Sequence, residues 1–162
     1  MDTNIHIIRW EELPDFSLYI DQVVAIVEKT LYFLNPKQDE KILTKTMINN
    51  YVKAKIVNPP VKKKYTREQV AYFIVICILK KVYSLDSISK LFRLQIMKRN
   101  IAESYNLFCD AFEYSIKNPN TQYKGTDHEL FSLVISSVVD TLKVEWMIMD
   151  EPTLQEANTH KK

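Results

Sequence analysis

One glycine, Gly125, serves a chain of 162 residues. Glycine takes positive φ without steric penalty and lets backbone come close to backbone or ligand. All-β folds rely on it in their hairpins, and phosphate-cradling loops need several glycines at fixed spacing. A chain with a single glycine is therefore expected to be all-α and to lack Walker and dinucleotide loops. Its length and 46% hydrophobic content suit one compact domain, or a small domain with a helical extension, able to bury a proper core.

Apolar spacing, caps and prolines place six helices. The first spans about residues 17–34, with Phe16, Ile20, Val23, Val24, Val27 and Leu31 on one side and Pro36 beyond its end. The second starts at Thr44, a suitable N-cap, and ends near Ala54. Residues 56–65, "IVNPPVKKKY", carry tandem prolines that exclude helix and favour a tight extended ribbon. Thr66 and Gln69 have capping-box spacing at the head of a third helix reaching about Val82. Ser84 caps a short fourth helix carrying Leu85, Ile88, Leu91 and Phe92. The fifth spans about residues 97–117, with Ile101, Tyr105, Phe108, Phe112 and Ile116 on one stripe. Thr126 and Glu129 form a second capping-box pair before an apolar sixth helix that runs to about Met149. The tail 150–162 has little to bury and is expected to be flexible.

Charge is segregated along the chain. Residues 41–67 carry Lys41, Lys45, Lys53, Lys55, Lys62, Lys63, Lys64 and Arg67 and no acid, a charge of +8. The remaining residues hold 14 basic and 20 acidic side chains, a charge of −6. A basic patch on an otherwise acidic protein points to a polyanionic partner. At about 100° per residue, Lys45, Thr46, Asn49, Asn50 and Lys53 fall on one arc of the second helix. Met47, Ile48, Tyr51 and Val52 fall on the other. An outward face of ammoniums, amides and hydroxyls without a carboxylate has the chemistry that meets phosphates and base edges in a DNA major groove. The ordinary alternative is a solvated surface helix. The ribbon that follows presents Lys62, Lys63 and Lys64 where they reach phosphates beside the same groove.

The order of these pieces, "LTKTMINNYVKAKIVNPPVKKKYTREQVAYFIVICILKKVYSLDSISKLF" over residues 43–92, resembles the winged helix-turn-helix head of MerR-type regulators. In that resemblance residues 44–54 stand for the recognition helix, with Tyr51 as its closing aromatic. Ile56, Val57, Pro59 and Pro60 take the turn into a wing at 58–65, Tyr65 is the wing tyrosine, Glu68 the acid opening the next helix, and "YSLDSISKLF" the final helix. The wing lacks the glycine usual in that family. With "LPDFSLYIDQV" upstream, the chain is more similar still to an uncharacterised bacterial family, domain of unknown function (DUF) 1836. The resemblance implies a head at 13–95 followed by a C-terminal helical hairpin at 96–149. It implies DNA contacts from Lys45, Thr46, Asn49, Asn50, Lys53, Lys62, Lys63, Lys64, Tyr65 and Arg67.

Catalytic and metal chemistry find no constellation to rest on, and no cofactor is expected. His6, His128 and His160 are dispersed and read as surface residues. Adjacent Asp39 and Glu40 do not face one another. Cys77 and Cys109 lie in apolar helical patterns, as small core residues do. The N-terminus has no apolar signal-peptide core. The longest uncharged runs, "QVAYFIVICIL" and "LFSLVISSVV", fall well short of the roughly 20 residues a membrane span needs. A reduced, cytoplasmic protein is expected.

The expected function is a transcriptional regulator that binds double-stranded DNA. The sixth helix is apolar on several faces, so residues 96–149 are expected to pair in a homodimer. The competing reading is a protein-interaction module of the same fold whose basic face binds an acidic protein; RNA is a third, weaker partner. Tyr105, Phe108, Phe112, Phe131 and Trp146 are candidates to line a small-molecule effector pocket, although aromatic stripes at helical spacing are usually core and no sequence feature identifies an effector.

Overall fold

A computed structural model describes residues 3–96, 99–125 and 128–151. Its regular elements are mostly helical, in the order β1 (Leu18–Tyr19), α1 (Ile20–Thr30), α2 (Lys45–Lys53), β2 (Lys64–Tyr65), α3 (Arg67–Leu79), α4 (Leu85–Ile96), α5 (Ile101–Lys117) and α6 (Glu129–Asp150). Short 3-10 turns occupy Trp10–Glu12 and Tyr32–Leu34. Among the described residues no helix is long and apolar enough to cross a membrane.

Helix α3 organises the rest. Val70, Phe73, Ile74, Ile76 and Ile78 are all buried, so its apolar residues do not segregate to one face. A helix apolar on every side has to be wrapped by others. Val23 and Val27 of α1, Ile48 and Tyr51 of α2, Phe108 and Phe112 of α5, and Val138 and Leu142 of α6 belong with it to one core cluster. Trp146 of α6 donates its buried indole N–H to the Phe33 carbonyl at 3.2 Å. The regions 13–95 and 96–149 therefore share a single core.

Residues 3–13 form an N-terminal segment docked along α5. Ile5, Ile7 and Leu13 are buried, and Tyr105 donates its hydroxyl to the Ile8 carbonyl at 2.6 Å. Arg9 grips Glu113 through two N–H groups at 2.7 and 2.9 Å, and also donates to Asp110 and the Ile7 carbonyl. Glu113 accepts the Ile7 N–H at 2.6 Å. Burial opposes ionisation of Glu113, but the Arg9 guanidinium and the Ile7 N–H prevail and hold its carboxyl below the usual range.

Several boundaries differ from the sequence reading. The expected first helix, 17–34, is broken at both ends. Leu18 and Tyr19 pair antiparallel with Tyr65 and Lys64, and the chain leaves α1 at Thr30 for a 3-10 turn. Phe16 precedes that strand and is 64% exposed, so it is not a core residue. α3 ends at Leu79, short of Val82. α5 opens at Ile101 behind Asn100, whose side chain accepts the Glu103 N–H at 2.9 Å. Met97, the expected start of that helix, lies outside the described residues, as do Thr126 and residues 152–162. α6 is capped by His128, which accepts the Phe131 N–H through Nδ1 at 3.4 Å, so this histidine is a half-buried cap rather than a free surface residue. His6 is exposed and its Nε2 lies 2.9 Å from Glu12. The caps read at Thr44, Thr66 and Ser84 are all present.

Candidate nucleic-acid interface

The arcs computed for α2 hold in three dimensions. Ile48 and Tyr51 are buried, Met47 and Val52 half-buried, and Lys45, Thr46, Asn49, Asn50 and Lys53 exposed. Thr44 starts the helix by accepting the Met47 N–H at 3.1 Å. The loop before it is fixed from α1, where Glu28 accepts the Ile42 and Leu43 N–H groups at 2.8 and 3.0 Å. Neither Asn49 nor Asn50 makes a side-chain hydrogen bond among the described residues.

How α2 ends bears on the charge pattern. The Lys55 N–H donates to the Val52 carbonyl and the Ile56 N–H to the Tyr51 carbonyl, at 3.0 and 3.1 Å. This pair of bonds is a Schellman motif, and it places Lys55 at the left-handed position (φ 58°) usually given to glycine. The ribbon repeats the substitution. Val61 and Lys64 exchange two backbone hydrogen bonds of 3.0 Å, closing a two-residue turn with Lys62 at φ 50° and Lys63 at φ 63°. Positive φ at both central residues defines a type I′ turn, whose favoured sequences are Asn-Gly and Gly-Gly. A left-handed non-glycine residue costs about 1–2 kcal/mol. Three of the five positive-φ non-glycine residues are thus lysines of the basic segment. Gly125 itself does not have positive φ; there a Cβ would lie 2.3 Å from the Tyr123 ring.

The ribbon is shorter than expected: Lys62 and Lys63 sit at the tip of the turn, and only Lys64 lies in the strand. Its approach is pinned by Gln69, which is 7% exposed. The Gln69 carbonyl accepts the Thr66 N–H at 2.7 Å, completing the capping box. Its amide donates to the Asn58 and Pro59 carbonyls at 2.8 and 3.1 Å.

Residues 18–21 join the two halves of the basic surface. Tyr19 lies opposite Lys64 in the sheet, with the Lys64 ammonium 5.0 Å from its ring centroid. Two residues on, Asp21 pairs with Lys45 at 2.8 Å. The sequence reading missed both, because strand pairing and the α1–α2 contact are non-local. One carboxylate therefore stands at the N-terminal edge of the α2 face. It is an exposed pair, worth about 1 kcal/mol at most.

Two expected contacts need correction. Tyr65 is 3% exposed and packs edge-on against Phe73 with centroids 5.6 Å apart, so its ring is core and does not face a partner. Arg67 is half-buried, its guanidinium carbon 5.5 Å from the Trp10 ring centroid and its Nε without a partner among the described residues. Lys45, Thr46, Asn49, Asn50, Lys53, Lys62, Lys63 and Lys64 remain available, and Lys55 joins them.

Elsewhere, burial pushes the Cys77 and Cys109 thiols up to about 12. Among the described residues no group of three or more His, Cys, Asp or Glu is placed to hold a metal ion.

A family model described as domain of unknown function (DUF1836) matches residues 8–108, and the chain belongs to that family. The match begins in the docked N-terminal segment, contains the whole basic segment and ends within α5. No curated protein and no solved structure matches the chain.

Proposed function

We propose that the chain is a DNA-binding transcriptional regulator whose residues 13–95 act as a MerR-like winged helix-turn-helix head, acting by binding rather than catalysis. α2 enters the major groove, and the turn at Lys62–Lys63 grips phosphates beside it. One observation carries the reading: lysines occupy three left-handed positions that backbone stability would give to glycine, all beside an exposed helix face whose amides have no partner among the described residues. Charge at those points is retained against a conformational cost, which is sensible where a polyanion is to be held.

The same proposal includes a homodimer, supported by α6. Leu133, Val144, Met147 and Ile148 of that helix are 54–70% exposed while its other faces are buried, and a small head reading a few base pairs gains specificity from a two-fold partner. Light scattering at tens of micromolar is expected to give a dimer, and a monomer would remove α6 from the interface.

Selection of bound duplexes from a random DNA library tests the main reading. Enrichment of a short, two-fold symmetric motif is expected. Recovery of unselected sequence with an affinity insensitive to salt would sink it. The Lys45–Asp21 pair favours a second reading, since the basic surface already accepts a carboxylate within the chain. An acidic protein partner would leave the purified protein without the salt-removable absorbance excess at 260 nm that bound nucleic acid gives.

A further inference from the structure

Where α3, α4, α5 and α6 meet, their side chains line a half-open cavity of about 110 Å³. Its walls are rings and branched chains: Tyr72 and Val75 of α3, Phe92 of α4, Tyr105 of α5 and Phe131 of α6. Tyr72 and Phe92 meet at 5.2 Å between centroids, and the Tyr105 hydroxyl is turned away to the Ile8 carbonyl. Among the described residues no Lys, Arg, Asp or Glu lines the space, and His128 is the one titratable side chain besides the tyrosines. Leu94 and Leu130, 53% and 39% exposed, mark its mouth. Of the five aromatic residues proposed from sequence as a pocket, Tyr105, Phe108 and Phe131 line this one, whereas Phe112 and Trp146 belong to the core beyond it.

Ser104 adds a second, independent observation. It lines the cavity from α5, and its hydroxyl oxygen is buried without a hydrogen-bond partner among the described residues. A buried hydroxyl left unpaired is a cost to the fold that alanine would avoid.

We infer that this cavity is a binding site for a small, neutral, largely apolar ring compound whose single hydroxyl or carbonyl pairs with Ser104. A neutral ligand fits these walls better than a charged one, because among the described residues they hold no full charge to compensate its desolvation. A cavity of about 150 Å³ takes benzene, so one of about 110 Å³ with an open mouth suits a single six-membered ring with a substituent directed outward. The site does not depend on whether the basic surface binds DNA.

Benzene and phenol, titrated into the full chain and followed by methyl NMR shifts, test it. Both are expected to saturate at one per chain, phenol about three- to tenfold tighter through the added hydrogen bond. Ser104→Ala is expected to bring phenol to the affinity of benzene and leave benzene unchanged. Val75→Phe fills the space and is expected to remove both; should that variant fail to fold by circular dichroism, Ala71→Val narrows the same cavity and is expected to weaken both. Absence of saturable shifts for either compound would overturn the site. A phenol preference retained in Ser104→Ala would overturn the role of Ser104 and move the polar contact to His128, which also lines the cavity.

Discussion

Two irregular stretches are tied to the helical body through polar side chains of the helices, and they use their cations differently. The N-terminal segment hangs on Glu113 of α5, which holds Arg9 and the Ile7 N–H. The basic turn hangs on Gln69 of α3, which holds the Asn58 and Pro59 carbonyls. Arg9 is consumed by folding: every direction of its fork meets an acceptor in the chain. Lys53, Lys55, Lys62 and Lys63 meet no carboxylate at all among the described residues, and three of them hold an unfavourable backbone conformation. A cation that the fold uses is sheltered and paired; these are neither.

Breaking the first tie is expected to have the largest effect on folding. Glu113→Ala leaves the partly sheltered Arg9 without its bidentate acceptor and the Ile7 N–H without a partner, a loss of about 3 kcal/mol in urea unfolding. The loss is pH-dependent. Because the folded carboxyl titrates below its unfolded value, its contribution is complete above about pH 4.3 and disappears as pH falls through the lowered folded value. The gap between wild type and Glu113→Ala is therefore expected to narrow in acid. A gap independent of pH would mean that the residue acts by packing alone.

The second tie is smaller. Gln69→Glu keeps an oxygen for the Thr66 N–H but cannot donate to the Asn58 and Pro59 carbonyls, and is expected to cost about 2 kcal/mol. Under the proposed function, DNA affinity falls with it although the side chain is buried, because the turn loses its anchor. Thermal unfolding combined with duplex titration reads both; an unchanged affinity would detach the basic turn from the interface.

The contrast extends to what a sequence can reveal. Thr66 and Gln69 lie three residues apart, so their capping box was legible, as were the Thr44 cap and the two arcs of α2. The docking of residues 3–13 was not, since Arg9 and Glu113 are 104 positions apart and each alone reads as a surface charge. Leu18 and Tyr19 read as helix because Phe16 continues the apolar spacing of α1 on their N-terminal side, and only pairing with β2 makes them a strand. In the basic segment the charge was plain and its geometry hidden. Nothing local says that Lys62 and Lys63 form a type I′ turn, a sequence preference they violate.

That violation gives the third test. Lys62→Gly and Lys63→Gly each relieve about 1–2 kcal/mol of left-handed strain and lose about 0.5–1 in unfolded-chain entropy, for a net gain of about 0.5–1 kcal/mol. Under the proposed function each also lowers the slope of log affinity against log salt by about 0.9. Alanine at the same positions removes the charge and keeps the strain, so it is expected to change the slope without the gain in stability. Glycine variants that melt no higher than wild type would refute the turn geometry.

The smallest effect on folding is expected at Asn49, where the largest effect on specificity is placed. Asparagine lies a few tenths of a kcal/mol or more below alanine in helix propensity, and neither Asn49 nor Asn50 recovers that through a side-chain bond among the described residues. Asn49→Ala is therefore expected to melt at the same temperature as wild type or slightly higher. Asn49 is exposed between Lys45 and Lys53, and under the proposed function its amide pairs with adenine N6 and N7, a contact worth about 1–3 kcal/mol of discrimination. Losing it should flatten the sequence preference at one position per half-site while leaving the salt dependence alone. Asn50 lies at the edge of the arc, nearer the turn, where an amide serves a phosphate; Asn50→Ala is expected to weaken specific and nonspecific duplexes equally. Selection from the same random library with each variant separates the two roles. If the preference survives in Asn49→Ala, the exposed amide is only solvated, and the part of the comparison that assigns α2 to base edges fails.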